Sequence, residues 1–155
     1  MMNKNLKTIK IKDLLFVILY SSVLPILLGA LLGFIDYYLQ TMLSFTFAYM
    51  LYWFIAIYIG KTVRKQYDNP HIVYTIIAGI GMLCAWTVLI TLPYVYAQAL
   101  YLGEPTLVFS PSIYLYAFLD FFNPLIWIQY FSLDLMIQLL ILGVGTYLGI
   151  KRTLI

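Results

Sequence analysis

The reading of this chain turns on residues 123–150, NPLIWIQYFSLDLMIQLLILGVGTYLGI. The stretch is long and apolar, yet it carries an acid, Asp134, well inside its length. A helix advances about 100° per residue, which puts Tyr130, Asp134, Gln138, Gly145 and Gly149 on one face. Leu, Ile and Met fill the other. A helix with one polar-and-small face and one greasy face has a protein side and a lipid side. The stretch therefore predicts a transmembrane helix over 125–150, with the other helices packed around its small face.

Composition agrees with that expectation. Of the 155 residues, 64% are hydrophobic and only 10% are charged, and mean hydropathy is +0.95. So little polar material cannot cover a water-facing surface, so lipid is expected to solvate most of the chain. The length suits a single membrane domain over residues 1–155. The fold class expected is all-α and polytopic. Four spans are placed at about 14–34, 42–60, 72–96 and 125–150, with an extra interfacial or re-entrant helix at about 111–122. That last segment is too short to cross, since a spanning helix needs roughly 17–25 residues. The first apolar run is about 20 residues long, against roughly 7–15 for the apolar core of a cleavable leader, so it is read as a retained span.

The spans carry marks of close packing. Ser21, Pro25, Gly29 and Gly33 recur every fourth residue in the first, and Gly81 with Ala85 does so in the third. Gly145 and Gly149 repeat the spacing in the last. Small residues at this spacing let backbones approach, which is how helices associate where apolar burial gives no net drive. If the small faces of the first and last spans meet, Asp36 and Gln40 approach Asp134 and Gln138 from the outer end. Pro25 and Pro93 should bend their helices. Asn69-Pro70 and Ser110-Pro111 both look like a cap followed by a first-turn proline, so helices should start there, with His71 in a first turn.

Charge predicts orientation. The nine cations form three clusters: Lys4, Lys7, Lys10 and Lys12; Lys61, Arg64 and Lys65; Lys151 and Arg152. With four spans, all three fall on one side, which the positive-inside rule makes the cytoplasm. Both termini are then cytoplasmic in a multi-pass protein of the cell membrane.

Four of the six acids, Asp36, Glu104, Asp120 and Asp134, fall on the other side, away from any cation of the chain. A charged side chain within the bilayer costs on the order of 2.5–3.5 kcal/mol on insertion scales. These carboxylates must find water, a proton, a cation or a partner. A polar pocket open to the outside is expected from Asp36, Asp134 and Gln138, with Tyr130 and Asp120 at its rim. Two neighbouring carboxylates would favour a shared proton or a bound cation. The plainer alternative leaves Asp134 among the headgroups and Gln138 bonded to a neighbouring helix.

The residue inventory excludes several functions. A single cysteine, Cys84, and a single histidine, His71, rule out an intrachain disulfide and a Cys- or His-rich metal site. No nucleophile–base set, phosphate loop or dinucleotide fingerprint occurs. No cofactor, metal, catalytic activity or nucleic-acid partner is expected. The function expected is that of a non-enzymatic accessory or interaction subunit, partnered by the bilayer and by another membrane protein or further copies of itself. The alternative is a small oligomeric transporter or channel that exchanges protons or cations at Asp134.

Overall fold

The computed structural model describes residues 10–68 and 70–154. The described residues are mostly helical, with no strand. In order they form α1 (Ile11–Leu43), α2 (Ala48–Arg64), α3 (Ile72–Leu102), a single 3-10 turn (Pro105–Phe109), α4 (Pro111–Phe121), α5 (Pro124–Gln129) and α6 (Leu133–Leu154). Three of them, α1, α3 and α6, are long and apolar enough to cross a membrane. Their outer faces are greasy: Leu27, Leu31, Ile76 and Leu140 are each more than half exposed. By length and composition these helices suggest a multi-pass membrane protein.

Two pairs of helices make the bundle. α1 lies along α3, and α2 lies along α6, with α3 also touching α2 and α6. The small stripe of α1 therefore meets α3, rather than the last helix as the sequence suggested. The reason is a reciprocal arrangement of proline and glycine. A helical proline leaves the carbonyl four residues earlier without its donor, so Pro25 frees the Ser21 carbonyl and Pro93 frees the Leu89 carbonyl. The Ser21 oxygen sits so close to Gly81 that a Cβ there would collide with it. The Leu89 oxygen faces Gly33, at 3.3 Å from where a Cβ would stand. Gly29 fits over the Ala85 carbonyl between them, at 2.9 Å by the same measure. Each helix thus presents its unbonded carbonyl to a glycine of the other.

The α2–α6 seam is comparably close. Gly60 and Gly149 face each other backbone to backbone, and a Cβ on Gly149 would stand 2.6 Å from the Ala56 carbonyl and from the Met82 sulfur. Gly145 makes room for the ring of Tyr52. Tyr52, Ile55, Ile59, Met82 and Trp86 are buried between the helices and form the centre of the core.

Several boundaries differ from the sequence reading. The apolar stretch 125–150 is not one helix. It breaks after Gln129, and Ser132 starts α6 afresh, its Oγ accepting the Leu135 N–H at 3.2 Å. Tyr130 lies in this break, so it shares no helix face with Asp134. The second helix is 17 residues long and starts at Ala48 rather than 42, because α1 continues to Leu43 and turns at Ser44, which adopts a left-handed φ of 55°. The cap expected at Asn69 lies outside the described residues. α3 begins at Ile72, and His71 is its cap instead of a first-turn residue, with Nδ1 accepting the Val73 N–H at 3.2 Å. Ser110-Pro111 does open a helix, α4.

The basic residues gather at one end of this bundle. Lys10 Nζ reaches Asp68 at 3.1 Å. The Tyr67 hydroxyl donates to the Thr153 carbonyl, and the Thr75 and Thr153 hydroxyls are 3.1 Å apart. These contacts draw the start of α1, the α2–α3 loop and the end of α6 together. Lys4 and Lys7 lie outside the described residues.

Candidate functional site

The opposite end of the bundle begins with a buried acid. Asp36 sits in the last third of α1 and is fully buried. Its Oδ1 accepts the Phe47 N–H at 2.6 Å, and its Oδ2 accepts from Gln40 Nε2 at 2.7 Å and from the Thr46 hydroxyl at 2.9 Å. Phe47 is the residue before α2, so the carboxylate stands at the amino-terminal end of that helix, where free N–H groups and the helix dipole favour negative charge. Thr46 completes the cap by accepting the Ala48 N–H at 3.2 Å. A buried acid with no cation beside it is thereby accounted for: it fastens α1 to the start of α2.

Asp134 is arranged differently. It lies in the first turn of α6, two residues after the Ser132 cap, and it is exposed. Its charge again complements a helix amino terminus. Gln138, one turn on, donates to Oδ2 at 2.7 Å, and the Tyr49 hydroxyl of α2 reaches Oδ1 at 3.4 Å.

Between these two acids lies a half-open cavity of about 360 Å³. Asp36 and Gln40 of α1, Phe45 and Thr46 of the turn, Tyr49 of α2, Ile90 and Tyr94 of α3 and Gln138 of α6 line it. Asp134 stands beside it, bonded to two of the lining residues, Tyr49 and Gln138. The structure thus brings Asp36 and Gln138 to one cavity with Asp134 adjacent. It does not bring Tyr130, which is 67% exposed in the α5–α6 break, nor Asp120, which lies on α4. The two acids have separate partners and share no hydrogen bond. Beneath the cavity the bundle is packed. Trp86 stacks on Tyr49 with ring centroids 6.1 Å apart and meets Tyr52 edge-on at 4.9 Å. The Tyr52 hydroxyl is tied to Thr146 at 2.7 Å.

Gln40, expected to approach with Asp36, does line the cavity, whereas Thr46, Tyr49 and Tyr94 were absent from the expected set. Thr46 had a legible signal, a hydroxyl residue directly ahead of an apolar helix. The two tyrosines had none, because an aromatic that lines a cavity reads the same as one that faces lipid.

A second cavity of about 490 Å³ lies between α1, α3 and α4, walled by Phe34, Val88, Leu92, Phe109 and Phe118 among others. It is almost entirely apolar. Its hydroxyls are already used, Thr87 donating to the Leu83 carbonyl at 3.1 Å and Tyr114 to the Val108 carbonyl at 2.9 Å. Among the described residues, no three His, Cys, Asp or Glu side chains come together as metal ligands would. No protein family, no curated protein and no solved structure matches this chain.

Proposed function

We propose that this chain is a non-catalytic accessory or interaction subunit of the cytoplasmic membrane, crossing it four times through α1, α2, α3 and α6. On this reading α4 and α5 lie at the outer interface. Both termini are cytoplasmic, because the cations sit at one end of the bundle and that end takes the cytoplasmic side. α2 supplies the second crossing. Its 17 residues rise about 1.5 Å each, or roughly 25 Å, and a short helix is accommodated by local thinning of the bilayer. Cysteines placed at Lys65 and Lys151 should react with a membrane-impermeant maleimide only from the cytoplasmic side, and one at Glu104 only from outside. Labelling of Lys151 from outside would refute the orientation.

The observation that carries the functional reading is the packing beneath the outer cavity. Trp86, Tyr49 and Tyr52 seal the bundle there, and Gly60, Gly145 and Gly149 close α2 onto α6 without a gap. Packing of this kind supports a pocket rather than a path through the single chain. The second reading is an oligomeric proton or cation carrier with its path between protomers. It is favoured by one fact, that Asp134 is an exposed carboxylate with no cation in reach among the described residues. Purified chain in proteoliposomes, with a pH-sensitive dye inside, separates the two. The accessory reading expects no proton or potassium flux from wild type. Flux that disappears in Asp134→Asn would overturn it and establish the carrier.

A further inference from the structure

We propose that the outer cavity binds a small organic cation, an alkylammonium ion, seated between Asp134 and an aromatic wall. The inference goes beyond the accessory role and does not depend on it. The cavity's volume of about 360 Å³ falls in the range of small-ligand pockets, roughly 300–1,000 Å³.

The charge of the pocket selects the ligand's sign. Asp36 lines it and Asp134 adjoins it, and the sequence places no Lys or Arg between residues 12 and 61 or between 65 and 151. The two acids divide the work. Asp36 is fully buried and already accepts from three donors, so it contributes mainly field. Each Asp134 oxygen accepts a single bond, from Gln138 or from Tyr49. A carboxylate has room for about four, so Asp134 can still receive an N–H or face a quaternary nitrogen.

The walls select the kind of cation. Phe45, Tyr49 and Tyr94 line the cavity, and aromatic faces attract ammonium groups through the ring quadrupole. A hard metal ion is disfavoured, because calcium takes 6–8 oxygen ligands, carboxylates prominent among them, and no three His, Cys, Asp or Glu side chains come together among the described residues. A zwitterionic phospholipid is disfavoured as well. Its phosphate sits next to its ammonium, and nothing cationic at this end would receive it.

The test uses the full chain in nanodiscs, with choline as the probe and its uncharged carbon isostere as the control, by isothermal titration. Saturable choline binding is expected, with none for the isostere. Asp134→Asn should weaken choline on the order of tenfold, as loss of a charged contact does. Tyr94→Ala should weaken it several-fold while Tyr94→Phe, which keeps the ring, does not. Asp134 is exposed, so the variant is expected to fold, and a circular dichroism melt checks this. Absence of saturable choline binding would overturn the proposal. So would equal binding of the isostere, or unchanged affinity in both Asp134→Asn and Tyr94→Ala. None of these outcomes bears on the flux measurement that tests the accessory reading.

Discussion

The two ends of the bundle are held by opposite means. At the basic end three segments far apart in sequence are drawn together by short polar contacts: Lys10 with Asp68, Tyr67 with Thr153, and Thr75 with Thr153. Arg64 adds to this knot, donating to the Tyr67 carbonyl at 2.8 Å and lying 5.2 Å from the centre of its ring. At the acidic end the shorter polar contacts fasten near neighbours. Asp36 bonds within about a dozen residues of itself, and Asp134 bonds Gln138 on its own helix. The long-range links are two long contacts, the Tyr49 hydroxyl to Asp134 at 3.4 Å and the Tyr38 and Tyr96 hydroxyls 3.5 Å apart. One end is therefore closed by tertiary hydrogen bonds, while the other keeps its acids on separate helix starts and leaves a cavity between them. A bundle that is tied at one end can keep a pocket open at the other without losing its register.

The largest expected effect comes from breaking the acidic end at Asp36. Asp36→Ala leaves the Phe47 N–H, Gln40 and Thr46 without their acceptor in a buried site. The expected loss is about 3 kcal/mol of unfolding free energy, since a single buried group left unsatisfied costs about 1–3 kcal/mol. Asp36→Asn keeps the shape but turns one acceptor into a donor, so it should recover only part of this. Thermal unfolding in detergent gives the ranking. Hydrogen exchange then locates the damage, with faster exchange expected at the start of α2 and unchanged protection around Thr153. Loss of protection at Thr153 as well would mean that the two ends are not independent.

Next in size is the middle of the bundle, where the α2–α6 seam serves both ends. Gly60→Ala drives a Cβ into the Gly149 backbone, which cannot swing aside as a side chain could. Overpacking of this kind costs about 1–3 kcal/mol. Gly33→Ala on the α1–α3 seam should cost less, because its nearest neighbours stand at 3.3 Å and one of them is a side chain. Unfolding midpoints of the two variants test that order. A larger loss for Gly33→Ala would mean that the α1–α3 pair is the stiffer of the two.

How much of this was legible in the sequence depends on the range of the interaction. Helical class and lipid-facing character follow from composition and period, which are local and strong over the long runs of α1 and α3. The stripe of Ser21, Pro25, Gly29 and Gly33 announced a packing face, but not its partner. The reciprocal match of Pro25 with Gly81 and Pro93 with Gly33 depends on three-dimensional register, which spacing within one helix does not encode. The break before α6 was written in the sequence and outweighed by hydropathy. Ser132 followed by Asp134 is a cap with an acid in the first turn, and an apolar run on either side concealed it. Asp134 stood out as an acid about one turn inside the expected outer boundary of the last span, near Phe131. Once α6 starts at Leu133, the same residue lies at a helix start, where acids are common. Asp36 was expected to meet Asp134. It instead caps α2 across a short turn, for which Thr46 was the visible sign.

The basic end yields smaller effects. Tyr67→Phe removes the hydroxyl that reaches the Thr153 carbonyl but keeps the ring stacked on Tyr74, whose centroid lies 4.6 Å away. A single hydrogen bond contributes about 1 kcal/mol, and unfolding of this variant should show a loss of that order. Burial pushes the Tyr67 phenol above its ordinary value, so it remains a donor throughout the neutral range and the loss should not vary with pH there. A loss that grows between neutral and mildly acid pH would point to a different group.

The smallest effect is expected from the one ion pair formed among the described residues, and it sharpens what closes this end. Asp68 holds the Lys10 ammonium above its usual value. A lysine raised on folding contributes below its unfolded value and loses that contribution as pH rises through the folded one, so only alkaline titration would reveal it. The side chains are 63% and 82% exposed, and water and salt screen such pairs until little remains. Asp68→Asn should therefore leave the unfolding midpoint unchanged at neutral pH, in low or high salt, while Tyr67→Phe lowers it in both. If Asp68→Asn proved the more damaging, and only at low salt, the end would be closed by charge. The expected result assigns closure to the buried hydroxyls of Tyr67, Thr75 and Thr153, which neither salt nor a change of one surface acid can reach.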